Sequence, residues 1–500
     1  MSKRGLFNTY HPLGILLIGL GIAQVIAFFQ VYQSNIELHR TVSTLYDAGY
    51  LTVPNLVVVN RLQEFWPAFL GGLFFTFSTG AGISLGAMSA GWFWSRLCRR
   101  NRFVLFIFLS IWGGVLLIFN IQGFTLYPSL YCGIIAPTLF LVTAKWTSYS
   151  ATQSAGRLKW LHILPVPLLA ILWFSQFDAD LFVDLRDNLL LSNYPGKKFN
   201  QFYYRYTLYP AQAFKSFDQK LIRTCRLEDI SNPALRQRLE RRLIANDYLP
   251  VPGSFRTDLR ISVKDQNLVF SDNDHMVFKI NPQQFFARSN KAFQKYSEAR
   301  DLHGAFRQFT YLSLVAGFPV LIYILLHFCL YYLTALFLDQ RSSAIIASVA
   351  CLLIGILVLV YFQANRSGNI QVTSIEEALN SKSLPARIAA LKLIRQKKLD
   401  VADYHSYSEL LQSPDPRERY WLAVAMAVSR SPRTYTDLLA LIEDKNTNVR
   451  SMALQSLGIR KIRQAIRPIL DKIRTSRNWY DQLYAYKALR SLGWKQKQLH

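Results

Sequence analysis

The sequence predicts a mainly α-helical protein in three parts: a polytopic bundle of about seven membrane-spanning helices, a small α+β domain set after the fifth, and an α-solenoid at the C-terminal end. Three observations predict it. Seven apolar windows are each long enough to cross about 30 Å of hydrocarbon. The net charge of +26 is kept out of those windows and crowded between them. Beyond Arg366, a helical motif led by alanine returns at intervals of 33, 30 and 35 positions.

The windows are about 12–31, 66–94, 103–119, 124–144, 160–176, 309–337 and 343–363. Backbone in lipid must satisfy its own hydrogen bonds, so each is expected to be helical. The first follows "MSKRG" and has small residues, Gly21 and Ala23, at cleavage spacing. Its apolar run continues past them to Val31, which predicts an uncleaved anchor. Lys3 and Arg4 precede the first window, Arg96, Arg99, Arg100 and Arg102 separate the second and third, and Lys145, Arg157 and Lys159 separate the fourth and fifth. The other connections are poor in such residues, so the positive-inside bias puts the N-terminus in the cytoplasm. Seven spans then place 177–308 and 364–500 outside. The expected home is a bacterial cytoplasmic membrane.

The second window, "FSTGAGISLGAMSAGWFW", carries Ser78, Gly82, Gly86 and Ala90 as one small-residue stripe at every fourth position. Such stripes let two helix backbones approach closely. The stripe predicts packing inside the bundle, with a homo-oligomer seam as the alternative. No Asp, Glu, Lys or Arg stands in the middle of a span. His162 and His327 could ligate a haem, but they belong at different depths, so no cofactor is expected. The five cysteines show no metal or disulfide spacing.

The segment "FDADLFVDLRDNLLL" follows the fifth window. Read as a helix from Asp178, it aligns Asp180, Asp184 and Asp187 on one face beside a stripe of Leu181, Leu185 and Leu189. The carboxylates could act as acid and base on a lipid or lipid-linked glycan, with Arg186, Tyr204 and Arg205 nearby. With no histidine near and no second acidic cluster, a solvated face is the expectation. The clustered tyrosines 203–209 suit a membrane-interface belt or a short strand. Phe214, Phe217, Leu221 and Cys225 fit one helical face. A second helix is capped by Ser231 with Pro233 in its first turn. "DLRISV", "NLVF" and "MVFKI" then predict a β-meander, and a last helix starts near Pro282 and leads towards the sixth span.

Helices followed by a β-hairpin also have the order of a winged helix, in which Arg236, Arg238, Arg241 and Arg242 would enter a DNA groove. The expected topology puts the domain on the wrong side for that, and nucleic acid is not the expected partner.

In the C-terminal region "ALKLI", "AVAMAV", "ALQSLG" and "ALRSLG" recur, led by Ala390, Ala423, Ala453 and Ala488. Small residues at a fixed period of about 30–35 mark stacked helical hairpins. "DPRERYWLAVAMA" and "DKNTNVRSMALQSLG" resemble HEAT repeats, the resemblance covering about 380–493. It implies an α-solenoid with a protein-binding surface and no reaction. Region 364–500 holds 24 basic against 12 acidic residues, which suits an acidic protein partner or anionic lipid headgroups. The domains are therefore set at 1–176, 177–308, 309–363 and 364–500. P-loop, G-x-S-x-G, H-E-x-x-H and dinucleotide signatures are absent. The expected function is a membrane scaffold or assembly protein that recruits proteins. The alternatives are a lipid- or glycan-directed membrane enzyme and a membrane-tethered DNA-binding regulator.

Overall fold

The computed structural model describes residues 3–149, 164–228, 230–252, 256–272 and 275–497. Among these, six helices are long and apolar enough to cross a membrane. They are α1 (Lys3–Asp47), α2 (Phe65–Leu97), α3 (Arg102–Asn120), α4 (Leu126–Thr147), and two later ones. The fifth window survives as a ten-residue apolar helix, α5 (Pro165–Phe174). The start of that window, with Arg157, Lys159 and His162, lies outside the described residues.

Between the fifth and sixth windows come a short helix α6 (181–190), whose second half is a π turn, then α7 (Tyr194–Tyr206) and the sheet domain. That domain holds β1 (Arg223–Leu227), α8 (Pro233–Ala245), β2 (Tyr248–Pro250), β3 (Leu259–Lys264), β4 (Asn267–Ser271), β5 (Met276–Ile280) and α9 (Ser289–Ala299). The last two apolar helices are α10 (Gly304–Thr334) and α11 (Gln340–Ala364).

Side-chain contacts fix the direction of each long helix. Gln24 of α1 donates to the Phe69 carbonyl of α2, and further along α1 backwards Gly19 faces Ser84, so α1 and α2 are antiparallel. Thr79 bonds Thr310, and Gly82 packs on Ser313, so α2 and α10 run together. Gly91 meets Phe140 and Ser95 bonds Thr147, which makes α4 parallel to α2. On α3, Trp112 donates to the Cys132 carbonyl and Asn120 bonds Ser129, the reverse sense. His327 lies 3.2 Å from Ser348 in the α10–α11 hairpin. Finally Leu169 faces Gly355 and Trp173 stacks near Phe362, so α5 runs with α11. In chain order, the seven directions alternate.

The stripe on α2 splits in two. Ser78 is fully buried, and Gly82 lies so close to Ser313 and Gly317 of α10 that a Cβ would clash. Gly86 is exposed with open space beside it, and Ala90 is half-buried. The bundle's own packing accounts for the first half alone. Around the outside, Phe103, Phe106, Leu117 and Ile118 of α3 and Leu353, Leu357 and Val360 of α11 form an exposed apolar belt.

The meander is found: β3–β4–β5 pair antiparallel, with Ile261 opposite Phe270. Asp265 and Gln266 both have positive φ, as a two-residue hairpin turn matching strand twist requires. Two expectations need correction. Residues 214–225 do not form one helix: Cys225 sits in β1, which pairs parallel with both β2 and β3 in the order β2-β1-β3-β4-β5. Strand β1 is a central strand whose Cys225 and Leu227 face the core, and tertiary pairing overrides the helical spacing of Phe214, Phe217 and Leu221. Secondly, Asn232 caps α8 in place of Ser231, accepting from Ala234 and Leu235 N–H. Helix α8 is thus the crossover of a parallel β–α–β unit, an arrangement unlike a winged helix. Three of its four arginines are engaged locally, Arg236 with Glu240 at 3.2 Å, Arg238 over the Phe286 ring and Arg242 on the Phe286 carbonyl, while Arg241 is exposed. The helix near Pro282 stops at Ala287, and α9 ends before α10 begins.

Beyond α11, four hairpins stack. Their first helices are α12 (Ile375–Leu379), α14 (Tyr407–Leu411), α16 (Pro432–Leu441) and α18 (Ile466–Thr475). The second helices are α13 (Leu384–Lys397), α15 (Pro416–Met426), α17 (Thr447–Arg460) and α19 (Trp479–Ser491). Ala390, Ala423, Ala453 and Ala488 are all buried where second helices cross. Ser456 donates to the Ala423 carbonyl, and a Cβ on Gly458 would strike Ala488, so the small residues permit close helix contact. An arginine ladder ties the stack. Arg387, Arg419 and Arg450 each bond a carbonyl six residues back (Ser381, Ser413, Asp444) and a carboxylate of the next hairpin (Glu418, Asp444, Asp481). Trp494 packs on Tyr486 at the end of the stack.

Candidate functional site

The row of second helices is only partly open to solvent. It lies against the segments that leave the apolar bundle, and the predicted acidic cluster sits at that contact. Asp180 is exposed just ahead of α6, but Asp184 and Asp187 are buried. This overturns the expectation of a solvated acidic face. Along the leucine stripe Leu181 is buried and Leu185 and Leu189 are half-buried.

Asp184 meets Arg366 at 3.1 Å and Lys392 of α13 at 3.8 Å, and Arg366 also binds Asp178 at 2.5 Å. Asp187 holds Arg186 at 2.8 Å and accepts from Trp421 Nε1 of α15 at 2.9 Å. Its backbone carbonyl accepts from Arg417, itself paired with Asp415. The Arg186 guanidinium stacks 3.9 Å from the Tyr420 ring centre, and Lys392 covers the Trp421 ring. Burial raises the Asp184 pKa, with Asp178 and Asp187 adding to the rise and Lys392 and Arg366 opposing it. Burial works against the Arg186 charge, but Asp187 and Tyr420 outweigh it and hold the guanidinium firmly protonated. Both buried carboxylates are committed to cations or to the indole. They form no open acid–base pair.

Along the row, α7 continues the contact. Tyr204 packs edge-on to Tyr480 at 4.6 Å, Thr207 bonds the Tyr480 hydroxyl at 2.7 Å, and Tyr209 meets Trp479. Burial, partly offset by Arg186, raises the Tyr204 phenol. The tyrosine cluster is therefore helical and serves the interface, and the strand reading fails. Arg205 caps no such contact and lies over Tyr206.

The far end of the row is fastened by the loop after α1. Asn55 Nδ2 reaches the carbonyls of Ile473, Arg474 and Ser476 at 2.9–3.1 Å, which caps the end of α18. Its N–H donates to Gln482 at 2.8 Å, and Gln496 brackets Leu51 with two bonds. The sheet domain joins here too: Asp247 accepts from Tyr486 at 2.6 Å and pairs with Arg490 at 3.0 Å. Leu45 and Tyr50 pack on Leu249 and Val251 beside β2. Sequence reasoning missed Asn55, Arg366, Lys392, Arg417, Trp421, Gln482 and Gln496. Lys392, Arg417 and Trp421 stand inside the repeat motifs and Arg366 at their edge, but nothing in those motifs marks them as contact residues.

Among the described residues no group of three or more His, Cys, Asp or Glu could hold a metal ion. Residues 407–493 match the family described as HEAT repeats. The C-terminal domain carries HEAT repeats. No curated protein and no solved structure matches the chain. HEAT repeats generally mediate protein–protein interaction, and here three of the four second helices, α13, α15 and α19, are contacted by the chain's own α6, α7 and post-α1 loop.

Proposed function

We propose that the chain is a multi-pass membrane scaffold. Seven helices anchor it, and the HEAT and sheet domains form a single platform at one membrane face. The observation that carries this reading is the alternating direction of the seven apolar helices. With it, every connection at the platform end, residues 48–64, 120–125 and 175–180, falls beside the HEAT domain, the sheet domain or their stalks. The exposed belt on α3 and α11 suits lipid contact. Helix α1, about 67 Å long by its residue count, spans the hydrocarbon and reaches the platform.

The opposite end carries Arg96, Arg99, Arg100, Arg102, Lys145 and Arg341. By the positive-inside rule that end is cytoplasmic, and the platform is extracytoplasmic. Since α13, α15 and α19 are largely engaged within the chain, recruited proteins meet the first-helix row, α12, α14, α16 and α18. The test uses a cysteine-free protein with single cysteines at exposed Lys264 and Lys495, and Cys98 restored as the internal control. An impermeant maleimide on intact cells labels the first two and spares Cys98. Labelling of all three, or of Cys98 alone, ends this topology. Photocrosslinkers at Arg433 and Arg467 are expected to capture the same protein. Capture at neither ends the scaffold reading.

A further inference from the structure

We propose that the cleft between the sheet domain and the last HEAT hairpin binds a phosphate-bearing ligand. The cleft, about 600 Å³, is walled by Lys220, Leu221 and Arg223 on one side and by Tyr484, Tyr486, Lys487 and Arg490 of α19 on the other. A smaller recess of about 360 Å³, reaching Asn246 and Asn290, adjoins it across Arg223. The cleft borders the Asp247–Tyr486–Arg490 contact described above, and none of its cations faces the bundle's apolar helices.

Its charge is unbalanced. Lys220 is paired with Asp258 at 2.7 Å, and Arg490 with Asp247 at 3.0 Å. Arg223 spends its donors on the carbonyls of Phe217 and Asn246, with no carboxylate. Lys487 is exposed, with the Tyr484 ring 5.7 Å away as its cation–π neighbour. Lys215, outside the lining but near enough to feel the charges of Lys487 and Lys220, has a 3.3 Å contact to Gln212. The lining itself holds four cations (Lys220, Arg223, Lys487, Arg490) against two carboxylates (Asp218, Asp247); adding Asp258, paired with Lys220, and nearby Lys215 still leaves two positive charges uncompensated. Burial first, then the charges of Lys487 and Lys220, push the Lys215 ammonium down to about 8. A phosphate monoester carries about two negative charges near neutral pH, and ammonium and guanidinium donors bind it well. The volume admits more than inorganic phosphate alone. Lys215 follows Phe214, which packs on Phe75 and Phe306 at the end of the bundle, so the ligand is either a soluble ester or a lipid headgroup.

The test is thermal unfolding of the full chain with two probes. In neutral detergent, glycerol phosphate is titrated against sodium chloride of equal ionic strength. In nanodiscs, phosphatidylcholine is compared with and without phosphatidic acid. A specific rise in Tm with glycerol phosphate identifies a soluble ester. A rise confined to phosphatidic acid discs identifies a headgroup. Both support the site, provided Lys215→Met with Lys487→Met removes the response. Each lysine alone should weaken binding about tenfold. Lys215→Met by itself should raise Tm without ligand, because it removes an ammonium that burial disfavours, and so reports that the variant is folded. No rise with either probe, or an equal rise in the double variant, overturns the proposal.

Discussion

At its first two hairpins the HEAT domain meets the rest of the chain through buried ions, Asp184 against Arg366 and Lys392, and the Arg186–Asp187 pair against the Tyr420 ring and the Trp421 indole. At its last hairpin the loop after α1 meets it through neutral amides, Asn55, Gln482 and Gln496 against backbone carbonyls and each other, with the sheet domain's Asp247–Arg490 pair alongside. The two fastenings should fail differently. A buried ion pair contributes little beyond a well-packed apolar contact, yet losing one partner strands a charge away from water. A neutral amide loses only its own hydrogen bonds, and the carbonyls it leaves can recruit water where the site is partly open. The charged end therefore sets register sharply, and the amide end tolerates more.

Asp187→Asn is the largest break. It leaves Arg186, mostly buried and stacked on Tyr420, without its anion. The expected loss is about 3–5 kcal/mol in unfolding free energy. Proteolysis of detergent-solubilised protein should then cut between α11 and α12, because the HEAT domain has undocked. An Asp187→Asn protein as resistant as the parent would remove the charged fastening from the account.

Asn55→Ala sharpens the contrast from the other side. It deletes three donations to the end of α18 and the acceptor for the Val58 N–H. A loss of about 2–3 kcal/mol is expected. Unlike the loss at Asp187, it should hold steady as salt is raised, since no ion is exposed. A strongly salt-dependent loss would show that the loop's hold is coupled to the Asp247–Arg490 pair beside it.

How much of this was readable in the chain follows from range. The apolar windows and the alanine ladder are local patterns, and each repeats its own evidence along the sequence. The β3–β5 meander is similar, since alternation and turn residues lie within 22 positions. Strand β1 is not, because "RTCRL" becomes a strand only through parallel partners beyond α8. The aspartates show the limit most clearly. Their spacing correctly put Asp184 and Asp187 on a common side of α6, but spacing cannot say whether that side meets water or cations. Arg366 and Lys392 lie about 180–210 residues downstream, and no local signal connects them to Asp184.

Asp184→Asn is the smallest and most discriminating of the changes. Burial raises its pKa above the usual carboxylate value, so the folded protein holds the proton more tightly than the unfolded chain does. By linkage, stability should fall as pH rises from the unfolded carboxylate value through the raised folded one, and should stay at the lower level above it. Asparagine mimics the protonated acid. The variant is therefore expected to match or slightly exceed the parent near neutral pH, within about 1 kcal/mol. It should also lack the parent's gain in Tm as the pH is lowered through that window. Arg366 keeps Asp178, and Lys392 keeps Ser367 and the Trp421 ring, so neither cation is stranded. A loss at neutral pH as large as that of Asp187→Asn would mean that the Arg366 and Lys392 contacts outweigh burial. The two aspartates would then be equal partners in the fastening, whereas the geometry gives the larger share to Asp187.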